Sequence, residues 1–406
     1  MIDIAVLGYG TIGSGVIEVL NTNGDSIAKR AGDQIRVKYI LDRKEFPGDP
    51  IMEILVKDIE VILNDSDVKI VVEVMGGVEP AYTFVKSALL HGKSVVTSNK
   101  ELVAKHGAEL LDIAKEKNVN FLFEASVGGG IPIIRPLNQS LTADEIVEIT
   151  GILNGTTNFI LTKMSEEGWD FDEALKNAQN MGYAERDPSA DLEGHDACRK
   201  IAILSSLAYG MQVDYEDIYT EGITHITDID IKYAKAIGAR IKLFATSVRE
   251  NDDHVYAMVA PMMIKASHPL YSVNDVFNGI FVRGNVIGDV MFYGSGAGKL
   301  PTASAVVADI VDAAKHLNKN IWTIWSSKKL ELTDLKHIEH KFFIRVAGNS
   351  EDIKKKVQDL LGKVEEVTAD GVKGEYAFLT SMLKEQDIAN MKEKLPGIRN
   401  IIRVRF

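Results

Sequence analysis

The chain has 406 residues, 46% hydrophobic and 26% charged, the balance of a globular protein long enough for two or three domains and a substantial core. Its formal net charge of -12 offers no broad basic field to nucleic acid or an anionic membrane, and no apolar run approaches the roughly 20 residues of a membrane span, so neither partner is expected. Cys198 is the single cysteine, which rules out an intrachain disulfide framework and fits a reducing, cytoplasmic setting.

Residues 2–7 are a short apolar run without the basic flank of a signal peptide. They end at Gly8-Tyr9-Gly10-Thr11-Ile12-Gly13, and a helical pattern follows. Strand, glycine turn and helix in that order are the context a dinucleotide site requires. The glycines allow a tight turn and close approach to pyrophosphate, and the helix start offers free N–H groups. The strand at 35–41 runs into Asp42-Arg43-Lys44. An acid there suits the ribose hydroxyls of NAD, and a neighbouring arginine suits the 2′-phosphate of NADP; both are present, and Arg43-Lys44 tilts the reading to NADP. Strands at 70–75, 94–97 and 120–124 alternate with helices opening at Glu79-Pro80 and spanning 101–117. This alternation predicts a Rossmann-type doubly wound parallel sheet, with ligands beyond the carboxyl ends of the strands, where Gly76-Gly77 and Lys100 fall.

Residues 124–132, Glu-Ala-Ser-Val-Gly-Gly-Gly-Ile-Pro, follow a strand but lack the spacing of a second nucleotide site. Such a loop suits a monovalent cation held by carbonyls and one carboxylate, or is a flexible connection. The strand at 145–153 runs into Asn154-Gly155-Thr156-Thr157-Asn158 and a helix. A threonine N-cap is expected there, with N–H groups behind it free for a substrate carboxylate or serving capping alone. Residues 182–200 carry Glu185, Asp187 and Asp191 in a loop broken by Pro188 and Gly194, then Asp196 and Lys200 four apart on one helix face. An apolar run follows, so Lys200 is expected to be partly buried beside carboxylates, balanced to move a proton near neutral pH. By spacing alone, an ordinary helix-start ion pair is the commoner arrangement.

In order along the chain, residues 8–13, 97–100, 124–132, 151–158, 182–200 and the loop Gly294-Ser-Gly-Ala-Gly298 resemble homoserine dehydrogenase over roughly residues 1–320. The Asn-Gly-Thr-Thr-Asn run and the Asp196/Lys200 helix carry the specificity of that match. The resemblance implies reversible reduction of L-aspartate 4-semialdehyde to L-homoserine by NAD(P)H, supplying the branch to threonine, isoleucine and methionine. It implies Lys200 as proton donor and Lys100 as a second lysine at nicotinamide and substrate. Glu185, Asp191 and Asp196 become substrate-binding acids, with Thr156 at the substrate carboxylate. Cofactor contacts are expected at Gly8, Gly10, Thr11, Ile12, Gly13, Arg43, Lys100, Gly182, Glu185 and Gly298. A cation, usually sodium, maps to Glu124, Val127, Gly129 and Ile131, mostly through backbone oxygens. A homodimer or homotetramer is expected, and no kinase module ahead of residue 1.

A hairpin about Gly288 and a small-residue helix from residue 301 follow; the helix is expected to return to the first domain. Residues 319–340 read as a polar linker. Beyond it, strands at 342–346, 364–368, 376–382 and 398–404 and helices at 350–361 and 387–395 give a β-α-β-β-α-β pattern that looks like a ferredoxin-like ACT domain. The domain expectation is therefore 1–123 with about 300–318 for dinucleotide binding, 124–299 as an α+β substrate and dimerisation domain, and 341–406 for the ACT-like unit. The usual Pro-Gly before the first ACT helix is replaced by Ala347-Gly-Asn-Ser-Glu-Asp352, whose acids oppose a bound amino-acid carboxylate; interaction or oligomerisation is expected there rather than threonine sensing. Two other readings compete. A semialdehyde dehydrogenase on this scaffold would need a cysteine nucleophile, for which Cys198 is the one candidate and points away from the Asp196/Lys200 face. A non-catalytic regulator would have no use for both lysines and the acids.

Overall fold

Strand Ile2–Leu7 is buried along its whole length, as expected of a strand covered on both faces. The computed structural model describes residues 1–251 and 254–406. In it this strand lies at the centre of a six-stranded parallel sheet, in the order Leu55–Val56, Ile35–Leu41, Ile2–Leu7, Val68–Glu73, Ser94–Thr97, Phe121–Leu122. The order reverses between Ile2–Leu7 and Val68–Glu73, and this switch point opens a crevice at the carboxyl edge. Helix Lys299–Lys315 returns to the sheet as expected: Ala303, Val306 and Ile310 share a core with Ile4, Val6 and Val16. A Cβ on Gly15 would stand 3.0 Å from that of Ala303, so the glycine lets helix Thr11–Thr22 lie against it.

The second sheet is mixed. Its first five strands run Gly288–Ser295, Phe277–Gly284, Ile146–Ile152, Ala239–Asn251, His254–Lys265. The hairpin turn is carried by residues 285–287, and Gly288, expected at its centre, opens the second strand with φ 76. Helix His195–Tyr209 packs into the same core as this sheet and helix Lys100–Glu116, which explains its nearly continuous burial. Glycines 194 and 210, at φ 82 and 68, bound it.

Two expectations about the C-terminal third are corrected. Residues 319–340 are laid across the first and central domains rather than left as a polar linker. The Trp325 ring packs on Gly107, its Nε1 donates to Gln212 at 2.9 Å, and strand Ser326–Lys329 pairs with Met211–Gln212. The last unit has the expected element order, with strands Glu339–Ala347, Glu365–Val367, Glu375–Leu379 and Ile398–Arg405 and helices Glu351–Leu361 and Glu385–Lys394. It is not a separate sheet, because Ile398–Arg405 adds in parallel to His254–Lys265, with Met262 opposite Arg403.

Buried charges fasten this junction. Arg403 donates to Glu221 at 2.6 Å and to both oxygens of Glu385 at 2.6 and 2.9 Å. Arg345 stands 2.7 Å from the fully buried Asp230, and Arg405 pairs with Glu148. Burial alone would raise the Glu221 carboxyl, but His225 and Arg403 outweigh it and hold the group at about 2, below its ordinary 4.5. Replacing Arg403 by Met leaves two carboxylates buried without their cation and is expected to cost roughly 3–5 kcal/mol in urea unfolding at pH 7. A depressed carboxyl lends stability that is complete above its unfolded value and lost on acidification. The gap between wild type and R403M should therefore narrow as pH falls from 4.5 toward 2. Equal unfolding midpoints at pH 7 would overturn this account of the junction.

Candidate active site

The dinucleotide turn is built by close contact. Gly8 takes φ 100, and a Cβ on Gly13 would stand 2.1 Å from the Gly8 carbonyl oxygen. Helix Thr11–Thr22 has Gly10 at its N-cap and no side-chain cap, so its first N–H groups are open to an anion. The Asp42 carboxylate is occupied by the N–H groups of Tyr9 at 2.8 Å and Lys44 at 2.9 Å. Lys57, unnoticed in the sequence, draws the carbonyls of Asp42, Arg43 and Lys44 together at 3.1, 3.1 and 2.7 Å. The acid thus shapes the turn.

A cleft of about 510 Å³ lies between the two sheets. Lys100, Thr156, Gly182, Glu185, Asp191, Asp196 and Lys200 all line it, and so do Ile12, Gly129 and Gly298. Asp196 is its electrostatic centre. One oxygen is 2.7 Å from Lys200 Nζ and the other 3.0 Å from Lys100 Nζ, while Asn154 Nδ2 donates to it at 2.9 Å. Burial would raise the Asp196 carboxyl, but Lys200 and then Lys100 outweigh it and hold the group below the usual carboxylate range. Asp196 in turn holds the Lys100 ammonium above the ordinary lysine value, against burial. Lys200 spends a second N–H on the Leu153 carbonyl at 2.7 Å, and an ammonium has three to give.

Asp191 accepts from the same Asn154 amide at 2.7 Å; burial and then the charge of Asp196 push its carboxyl up. Asn154, not a threonine, is the N-cap of helix Gly155–Glu166: its Oδ1 accepts from Thr157 N at 2.9 Å. The Thr156 hydroxyl instead donates to the Tyr183 carbonyl at 2.7 Å and draws in the loop of Gly182 and Glu185. Asn154 was legible as a cap candidate from its place before the helix; its bridging of two acids was not.

The glycine loop at 127–131 meets the loop at 294–298 through Gly130 N and Ser295 O at 3.0 Å. The Glu124 carboxylate, expected near a cation, is taken by the N–H groups of Ile133, Ile134 and Arg135 at 2.6, 2.8 and 2.8 Å. Cys198 is buried with its thiol raised by burial and its Sγ on the Tyr215 carbonyl at 3.3 Å, which suits no nucleophile.

Residues 8–124 match the family model described as homoserine dehydrogenase, NAD binding domain, and residues 132–311 match that described as homoserine dehydrogenase. A homoserine dehydrogenase from Synechocystis sp. is 48% identical over 319 residues, 77% of this chain and 73% of the relative. The chain belongs to the homoserine dehydrogenase family. Its activity is that oxidoreduction, on a nicotinamide dinucleotide. The structure of the family member from Thiobacillus denitrificans superposes with a TM-score of 0.91 at 34% identity, covering 100% of this chain and 98% of that one. A hyperthermophilic archaeal homoserine dehydrogenase in complex with NADPH superposes with a TM-score of 0.65 at 30% identity, covering 77% of this chain and 97% of that one. Among the described residues no helix is long and apolar enough to cross a membrane.

Asn154→Asp keeps the cap acceptor but replaces the bridging amide with a third carboxylate. We expect a fall in kcat/KM for homoserine of about tenfold or more with the thermal midpoint within a few degrees of wild type. Unchanged kinetics would show that the bridge is immaterial.

Proposed function

We propose that Lys200 moves the proton between its ammonium and the substrate oxygen in the interconversion of L-homoserine and L-aspartate 4-semialdehyde. The observation that supports this most directly is the buried Asp196 carboxylate holding two ammonium groups on one wall of the cleft. With two N–H groups of Lys200 committed to Asp196 and Leu153, the third is left for the reacting oxygen. Lys100 supplies a second positive charge where an alkoxide develops. Glu185 and Asp191 take the substrate ammonium, and its arrival relieves the repulsion between Asp191 and Asp196. The N–H groups of Gly155 and Thr156 at the start of helix Gly155–Glu166, which have no hydrogen-bond partner among the described residues, take the substrate carboxylate.

NADP is the cofactor this chain prefers. The turn at Gly8, Gly10 and Gly13 fits a pyrophosphate, and Arg43 and Lys44 fit a 2′-phosphate beside an Asp42 already engaged by backbone. Bound there, the nicotinamide would exchange hydride with the carbinol carbon. A monovalent cation is held by the carbonyls of Val127, Gly129 and Ile131 with that of Glu124; none of the first three accepts a hydrogen bond among the described residues. The enzyme is a cytoplasmic homodimer or homotetramer.

Lys200→Ala is expected to lower turnover by roughly a hundredfold while leaving NADP affinity nearly intact, since it removes the proton carrier and one of the two cations on Asp196 but no contact to the dinucleotide turn. Initial rates of homoserine oxidation with NADP and with NAD check both halves of the reading. Full turnover in the variant overturns the role of Lys200, and faster oxidation with NAD overturns the cofactor preference.

The C-terminal unit is ACT-like and serves assembly rather than threonine sensing. Ser350 caps helix Glu351–Leu361, and Glu351 and Asp352 fill the first turn where an amino-acid effector's carboxylate would sit. Calorimetry with threonine on the full chain is expected to give no heat of binding; binding at millimolar or tighter affinity, abolished by substitutions in this unit, would overturn the assignment.

A further inference from the structure

Among the buried acids the mechanism leaves unused, one stands at the edge of the parallel sheet that faces the cleft. Glu73 ends strand Val68–Glu73 at the carboxyl edge of the parallel sheet, with no exposed surface. Its Oε1 accepts the N–H of Met75 at 2.8 Å and of Gly76 at 3.3 Å, and its Oε2 accepts the Thr97 hydroxyl at 2.6 Å. Thr97 ends the neighbouring strand, is itself fully buried, and accepts the N–H of Asn99 at 3.0 Å. Asn99 caps helix Lys100–Glu116 through Leu102 N at 3.1 Å and donates to the Gly77 carbonyl at 2.6 Å. The next residue is Lys100.

We propose that Glu73 is a positioning residue, setting through Thr97 and Asn99 the point at which the Lys100 helix begins and so the place of the Lys100 ammonium in the cleft. The inference rests on the reading of Lys100 given above. The direction of each bond supports it. The N–H groups of Met75, Gly76 and Asn99 can only donate, so Thr97 receives one hydrogen and passes its own to Glu73. Three donors converge on a carboxylate that burial would otherwise make costly, and its own carboxyl is raised by that burial. The same acid shapes the turn at 74–77 against the dinucleotide loop: a Cβ on Gly8 would stand 3.2 Å from the Val74 oxygen and 3.1 Å from the Met75 side chain. One buried carboxyl group therefore stands behind both the cofactor turn and the lysine. Holding Lys100 needs help, because an ammonium at the start of a helix faces the positive end of its dipole.

The test uses the full-length enzyme and four substitutions. Thr97→Val removes the hydroxyl at nearly constant volume, Thr97→Ser restores it, Glu73→Gln is a second break in the same chain, and Lys100→Ala removes the target. Thr97→Val and Glu73→Gln are each expected to lower kcat for homoserine oxidation by about tenfold, with the KM for homoserine changed less than threefold, and Thr97→Ser to lie within about twofold of wild type. In the Lys100→Ala background, Thr97→Val should add no further loss, because it acts through a group already gone. If Lys100→Ala is impaired but the two losses multiply, or if neither Thr97→Val nor Glu73→Gln lowers kcat, the relay is wrong and the reading of Lys100 stands. If Lys100→Ala turns over like wild type, the reading of Lys100 fails and the inference with it.

Discussion

A carboxylate with almost no access to water sits between two ammonium groups from different parts of the chain, and the geometry of the cleft depends on it. Isolated, such a charge would not stay ionised. Lys200 from the same helix and Lys100 from the parallel-sheet domain keep Asp196 charged, and Asn154 fills a remaining acceptor position. The interaction that makes burial tolerable is also what joins the domains across the cleft: helix Lys100–Glu116 follows the fifth strand of the first sheet, while helix His195–Tyr209 packs on the second. Withdrawing one partner from such a cluster leaves charge without compensation, a loss of roughly 3–5 kcal/mol in comparable buried pairs. Domain orientation and placement of the two lysines are thus one property.

Around this centre the walls are mostly backbone. The loops at 127–131 and 294–298 approach so closely that a side chain at their point of contact is excluded. A Cβ on Gly129 would stand 2.4 Å from the Gly296 oxygen, and one on Gly296 would stand 2.0 Å from the Asn278 amide. Glycine at these points reflects contact between protein segments. The helix that follows the second loop, Lys299–Lys315, completes the core of the first domain, so the chain crosses the cleft and returns to close it.

What was legible in the sequence follows from the range of the interactions involved. The glycine turn, the alternating strands and helices, and the i, i+4 pair of Asp196 and Lys200 are local patterns, and each lies where its spacing puts it. The threonine cap was misplaced because Asn154, Thr156 and Thr157 stand almost together and all are good capping residues; which one caps depends on a phase of two or three residues. The side chain of Glu124 reads as a ligand until three amides from residues 133–135 are found on it. Lys100 meeting Asp196 is a contact between distant segments for which spacing holds no signal. The same is true of Trp325, whose partner Gly107 lies far upstream in a helix.

The junction of the C-terminal unit shows why a module boundary drawn from element order can mislead. Arg403, Arg405 and Arg345 lie on strands of the C-terminal unit, yet each meets a carboxylate of the central domain. One of these partners stands close to the chemistry. Glu221, held by Arg403, precedes Gly222, where a Cβ would stand 2.1 Å from the Leu192 oxygen, and Ile223, whose N–H donates to that oxygen at 2.8 Å. Leu192 follows Asp191 in the short helix Ser189–Leu192, which presents Asp191 to the cleft. The last strand therefore braces the segment behind Asp191 through one hydrogen bond, one close backbone approach at Gly222 and one buried ion pair. A unit attached by a flexible tether would have no such purchase; this one is part of the wall on which the acids are mounted.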